Sequence, residues 1–189
     1  MRLIVKRQDH MVNDTDMELV KLATGGDERA FENLIQKHYL SVYQLSYKWC
    51  RIKEDAEEIT QEVFIKLSRK LNSFNHRSSF RTWLYRIVIN TAKDYARKNS
   101  TSRLFESAFA EEQSNEKKDD PPADPINEQR VYDAIDMLPH KQKAALMLVM
   151  AEGLSHKEAA HILECSETTV SWRIHQARKT LKKNLNRMV

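Results

Sequence analysis

The stretch from Gly153 to Lys183 leaves the chain little freedom in its local structure. Ser155 and Glu158 have the S-x-x-E spacing of a capping box, in which the hydroxyl takes a backbone N–H three residues on and the carboxylate reaches back. A helix is therefore expected from His156, with Ala159, Ile162 and Leu163 on one face. Cys165-Ser166 interrupts the pattern, and Ser166 is placed to cap a second helix. Val170, Ile174, Ala177, Leu181 and Leu185 then form a stripe at helical spacing. Two helices joined by so short a turn make a helix-turn-helix.

The second helix has the residues of a recognition helix. Thr168, Trp172, His175, Gln176 and Lys179 point away from the apolar stripe, with Arg173 and Arg178 on its flanks. From Arg173 to Val189 there are six basic residues and no acidic one. Side chains near such a helix N-terminus reach base edges while basic flanks meet phosphates. The alternative is a solvated amphipathic helix closing a bundle.

The rest of the chain also reads as helical. It has three glycines, no Asn-Gly or Asp-Gly turn and little strand-like alternation. The expected class is all-α, with two small helical domains joined by a flexible acidic linker. Boundaries are expected at 1–14 (a disordered lead-in, within which Met11 is an alternative start), 15–98, 99–127 and 128–187.

In the first domain, Thr15 and Glu18 repeat the capping-box spacing before a short helix carrying Met17, Val20 and Leu22. Gly25-Gly26 ends it, and Asp27 caps a helix with Phe31, Leu34, Ile35, His38, Val42, Leu45 and Trp49 inward. His38 is expected to be a satisfied core histidine. The next helix, about 54–71, carries Ala56, Ile59, Val63 and Leu67 as its core stripe. Acidic residues crowd its first half, which suits the helix dipole and equally a docking face for a basic or polar partner. A polar loop, 72–79, leads to a helix over 80–98 with Leu84, Ile87, Val88, Thr91 and Tyr95 inward. Arg86, Asn90, Lys93 and Arg97 recur on the opposite side, with Arg81 and Tyr85 nearby. Asn reads bases, cations hold phosphates and Tyr stacks, so this is either a nucleic-acid face or an ordinary wet one.

Between Arg103 and Asn127 lie seven acidic and three basic residues and three of the four prolines. That net −4 against a total of +4 leaves +8 on the remainder, so both domains are more basic than the whole. A tether of about 29 residues extends to roughly 95 Å and relaxes to about 30 Å. Such a tether lets two DNA-binding surfaces, one per domain, engage sites some tens of ångströms apart. Beyond it, Val131, Ile135 and Leu138 mark a helix stopped by Pro139, and Lys141 to Glu152 a further helix with Ala145, Leu148 and Val149 inward.

Several function classes are disfavoured. His156, His161 and Cys165 have poor ligand spacing and lack a fourth partner, so no metal or cofactor is expected. There is no nucleophile–base arrangement or phosphate-cradling glycine loop, which argues against an enzyme. Cys50 and Cys165 are far apart in sequence and suit a reducing compartment. No signal peptide or spanning segment is visible, so a cytoplasmic protein without direct membrane insertion is expected. No dimerisation heptads are present, so the free protein is expected to be a monomer.

The segment Asp55 to Leu67, DAEEITQEVFIKL, followed by Phe80 to Ala92, FRTWLYRIVINTA, resembles region two of the extracytoplasmic-function sigma factors of bacterial RNA polymerase. Leu138 to Ala144, LPHKQKA, and the stretch from Gly153 to Leu181 are similar to their region four. The resemblance implies that Asp55, Gln61, Glu62 and Phe64 dock on core RNA polymerase. It implies that the 72–79 loop, with Asn75, His76 and Arg77, captures a flipped base of the promoter −10 strand, read also by Arg86, Asn90, Lys93 and Arg97. It further implies that Thr168, Thr169, Ser171, Trp172, Arg173, His175, Arg178 and Lys179 meet the −35 major groove. Trp172 is bulkier than that pattern expects. An anti-sigma factor, often membrane-tethered, is the implied regulatory partner. The alternative is a stand-alone helix-turn-helix repressor or activator, normally a dimer on a two-fold operator.

Overall fold

A computed structural model describes residues 16–107 and 125–187; the lead-in, the Thr15 cap and the middle of the acidic stretch lie outside the described residues. The described residues are helices and short connections, without strands, and divide into two compact units at Lys98/Asn99.

In the first unit, α1 spans 16–24, α2 Glu28–Cys50, α3 Lys53–Lys70 and α4 Phe80–Ser107. A single 3₁₀ turn, Leu71–Ser73, follows α3. The α1–α2 corner is built as its residues dictate. Gly26 takes φ +95°, a conformation that a Cβ disfavours, and the Asp27 carboxylate accepts the Ala30 N–H. At the other end of α2, Arg51 takes the left-handed cap conformation, and its N–H donates to the Tyr47 carbonyl. Leu34, Val42, Leu45, Ile59, Val63 and Leu67 are fully buried, each worth about 1.5–3 kcal/mol.

His38 is a satisfied core histidine: Nε2 lies 3.1 Å from Asp16 Oδ1, and its ring meets Phe80 edge-on at 5.2 Å. Leu22, in contrast, is exposed, and Val20 alone of the α1 aliphatics is fully buried. The α4 helix is buried over a wider arc than its first stripe indicated. Tyr85, Ile89 and Ala92, at i, i+4 and i+7, form a second buried row beside Leu84 and Val88. It also runs past Lys98 to Ser107, through a sequence that holds no proline or glycine to stop it.

In the second unit, α5 spans Pro125–Asp136, α6 His140–Leu146, α7 His156–Leu163 and α8 Glu167–Arg187. The segment expected as one helix from Lys141 to Glu152 is α6 followed by a π turn, Met147–Ala151, closed by Glu152 N–H on the Met147 carbonyl at 3.0 Å. Gly153 then reverses the chain at φ +67°. Lys143 is buried and donates to Asp136 at 2.8 Å, which ties α6 to α5. Leu138, Leu146 and Ala177 form a core cluster with Ile135 and Leu181 packed against it. Among the described residues no helix is long and apolar enough to cross a membrane.

Candidate nucleic-acid interface

The start of α7 and the turn from α7 to α8 are held by side chains. Ser155 Oγ accepts the Glu158 N–H and Glu158 Oε2 accepts the Ser155 N–H at 2.8 Å, which completes the capping box. Glu164 ends α7 in the left-handed conformation, φ 50°. Ser166 Oγ accepts the Thr169 N–H at 3.1 Å and lies 2.8 Å from the Thr169 hydroxyl. Ser171 donates to the Glu167 carbonyl and lies 2.8 Å from His156 Nδ1. The Thr169 hydroxyl is thus engaged in the cap of α8, and the Ser171 hydroxyl ties α8 to the start of α7.

Val170, Ile174 and Ala177 are buried beneath, so the opposite face of α8 carries Thr168, Trp172, His175, Arg178 and Lys179, all exposed. Trp172 is 58% exposed, unusual for so large an apolar side chain. Arg173 is half-buried, with Nη1 3.4 Å from Cys165 Sγ, and Arg178 Nη2 lies 3.4 Å from Met150 Sδ. One aromatic flanked by cations is a surface that can enter a groove and meet phosphates on either side.

In the first unit, Asn75, His76 and Arg77 are all exposed on one loop. Phe74 anchors it. The side chain is buried, with ring centroids 5.8 Å from Phe80 and 5.3 Å from Trp83. Asn75 Oδ1 accepts the Arg77 N–H at 3.3 Å, while Ser79 Oγ accepts the Thr82 N–H and so starts α4. On α4, Asn90 and Arg97 are exposed and Arg86 and Lys93 half-buried. Arg97 shares its surface with Asp94 at 3.2 Å, so the stripe is not purely cationic. Tyr85 was expected to be available for stacking. It is 1% exposed, and its hydroxyl accepts from Arg81 at 3.1 Å, so it belongs to the core row with Ile89 and Ala92.

The acidic start of α3 has both a local and an outward component. The Tyr95 hydroxyl lies 2.8 Å from Asp55 Oδ1 and 3.1 Å from Glu58 Oε2, which joins α3 to α4. Gln61 and Glu62 are exposed. Phe64 is nearly buried and stacks on Tyr39, so the exposed apolar surface of these helices is that of Tyr39 and Leu40 on α2 and Ile65 on α3, none of which the sequence reading singled out. Asp16 was also missed. Burial pushes its carboxyl up, but hydrogen bonds from His38 and Lys37 outweigh this and hold it below the ordinary value. Among the described residues no group of three or more His, Cys, Asp or Glu could hold a metal ion.

A basic helix-turn-helix unit following a second helical unit with its own polar face defines a two-part DNA-binding transcription factor. The Sigma-70 region 2 family model matches residues 34–101 and the Sigma-70 region 4 model residues 128–181. The chain is 34% identical to an ECF RNA polymerase sigma-E factor of Haemophilus influenzae, over 90% of this chain and 95% of that one. It is 32% identical to the RNA polymerase sigma-H factor of Pseudomonas aeruginosa, over 93% and 96%. Among solved structures, CnrH in complex with the cytosolic domain of CnrY is similar with a TM-score of 0.66 and 25% identity, covering 91% of this chain and 97% of that one. The chain belongs to the sigma-70 family, in its extracytoplasmic-function group.

Proposed function

We propose that this chain is an alternative sigma factor that binds core RNA polymerase and directs it to promoters carrying matched −10 and −35 elements. The observation that carries this is the pairing of two family matches, in order, on two separately folded units. Residues 15–98 form the polymerase and −10 unit and 128–187 the −35 unit, joined by 99–127, whose two ends belong to α4 and α5. In this reading Gln61 and Glu62, with Asp55 and Phe64 behind them, meet the polymerase. Asn75, His76 and Arg77 take the −10 strand, supported by Arg86, Asn90, Lys93 and Arg97. Thr168, Trp172, His175, Arg178 and Lys179 face the −35 groove, and Thr169, Ser171 and Arg173 fix that helix and reach its edge.

Flipping a base out of the stack costs a few kcal/mol, which the loop and the polymerase together must offset. The free chain therefore binds promoters weakly. It acts by recognition in the cytoplasm, and the bond-making chemistry is the polymerase's. A protein that covers the chain when it is not needed completes the reading. Its support is that CnrH, similar over 91% of this chain, was solved with a cytosolic partner domain.

Titrating the labelled full chain against purified bacterial core RNA polymerase is the test. Saturable one-to-one binding is expected, with specific promoter binding appearing only in the complex. Specific duplex binding by the free chain, with no affinity for core, would instead make it a stand-alone repressor or activator.

A further inference from the structure

The short helix α1 buries Val20 and makes two further side-chain contacts from adjacent residues. Asp16, 1% exposed, places Oδ1 2.6 Å from Lys37 Nζ and 3.1 Å from His38 Nε2 on α2. Met17 Sδ lies 3.4 Å from Nδ1 of His76, in the loop 59 residues further along the chain. The two contacts are linked through the core. His38 meets Phe80, Phe80 meets Phe74 at 5.8 Å, and Phe74 meets His76 at 4.7 Å. The path closes on itself from α1 through α2 and α4 to the loop and back to α1.

His76 takes φ +57°, a left-handed conformation costing a non-glycine residue about 1 kcal/mol. Such a conformation persists only where the surroundings fix it. The Phe74 ring holds one side of the imidazole and Met17 meets its Nδ1. Two exposed polar neighbours, Asn75 and Arg77, take their direction from that residue.

We propose that α1 is a positioning element for promoter-strand capture: Met17 holds His76, and the buried Asp16 anchors Met17, so that the loop has its binding shape before DNA arrives. This rests on the reading of residues 75–77 as the −10 contact. Ordering a loop in advance removes that cost from binding, so the loss of Met17 should appear in strand affinity and selectivity more than in folding.

The test uses the full chain assembled with core polymerase. A pool of random single-stranded DNA, first depleted on core polymerase alone, is selected on the wild-type assembly, and the enriched strand becomes the probe. Met17→Ala is expected to bind that strand about tenfold more weakly and to enrich a broader set of sequences, with polymerase affinity unchanged. Met17→Leu, which keeps the bulk against the imidazole, should recover most of the affinity. Unchanged strand affinity in Met17→Ala overturns the proposal, as does a parallel loss of polymerase affinity, which would mark a general folding defect. Asn75→Ala separates the two levels. If it weakens the strand and Met17→Ala does not, the loop assignment stands and the positioning role falls. If neither variant weakens it, both fall.

Discussion

The Asp16 carboxylate sits 3.1 Å from the His38 imidazole and 2.6 Å from the Lys37 ammonium, almost wholly out of solvent. A charge buried in this way is tolerated because its partners are in place. Asp16→Asn leaves Lys37 and His38 without their acceptor charge, and a loss of about 1–3 kcal/mol is expected in urea unfolding of the first unit at neutral pH. The folded-state pKa is lowered, so the wild-type contribution is complete above the unfolded carboxylate value of about 4 and is lost as pH falls through the folded value. Wild type and Asp16→Asn should therefore converge in stability as the pH falls through the lowered folded-state value. A gap that stays constant through that fall would show that the charge is not what stabilises.

Tyr95 offers a way to separate the two roles of Asp55. Its hydroxyl lies between Asp55 and Glu58, so Tyr95→Phe leaves two carboxylates facing each other without a shared donor. A destabilisation of about 1 kcal/mol is expected. If Asp55 serves the polymerase only by holding α3 against α4, Tyr95→Phe and Asp55→Ala will weaken polymerase binding equally. A larger effect of Asp55→Ala, measured by titration with core polymerase, would indicate direct contact.

Gln61 and Glu62 carry no comparable core contact. The double change Gln61→Ala, Glu62→Ala should leave the unfolding free energy nearly unmoved, within about 0.5 kcal/mol, since both side chains are exposed. Polymerase affinity should fall by about tenfold or more. Unaltered affinity would remove these residues from the docking face.

In the second unit, stability and recognition should come apart. Ser155→Ala removes the capping box and should cost about 1 kcal/mol, with little change in −35 affinity once the protein is folded. Lys179→Ala should leave stability unchanged, weaken promoter binding by the polymerase complex across sequences, and reduce the salt slope by about one. Duplex binding at two or more salt concentrations distinguishes the outcomes. A salt slope unaffected by Lys179→Ala would mean that this residue meets no phosphate.

What could be read from sequence was what short-range chemistry dictates. Ser155 with Glu158, Asp27 after two glycines, and the stripes through Ile59 and Val170 announce their helices because each partner is three or four residues away. His38 could be placed in the core because it sits in register with Leu34, Val42 and Leu45. Asp16 and Phe74 gave no such signal, since their partners are α2, twenty-two residues distant, and the Phe80–Trp83 aromatic cluster. Tyr85 was misplaced because a polar-edged aromatic suits core and surface alike, and the buried row it shares with Ile89 and Ala92 was overlooked. The exposed patch around Tyr39 escaped for the converse reason: hydrophobic residues on a helix are assigned inward by default.

The π turn at Met147–Ala151 contains one residue more than an α-helical turn spanning the same rise. Deleting a single residue there returns the segment to α-helical bonding and leaves Gly153, α7 and α8 facing as they do now. The same deletion within α6 or α8 would swing every later side chain by about 100° around its axis. A residue can therefore be removed at this turn while the recognition helix keeps its orientation, which makes the turn a reserve of length in the second unit.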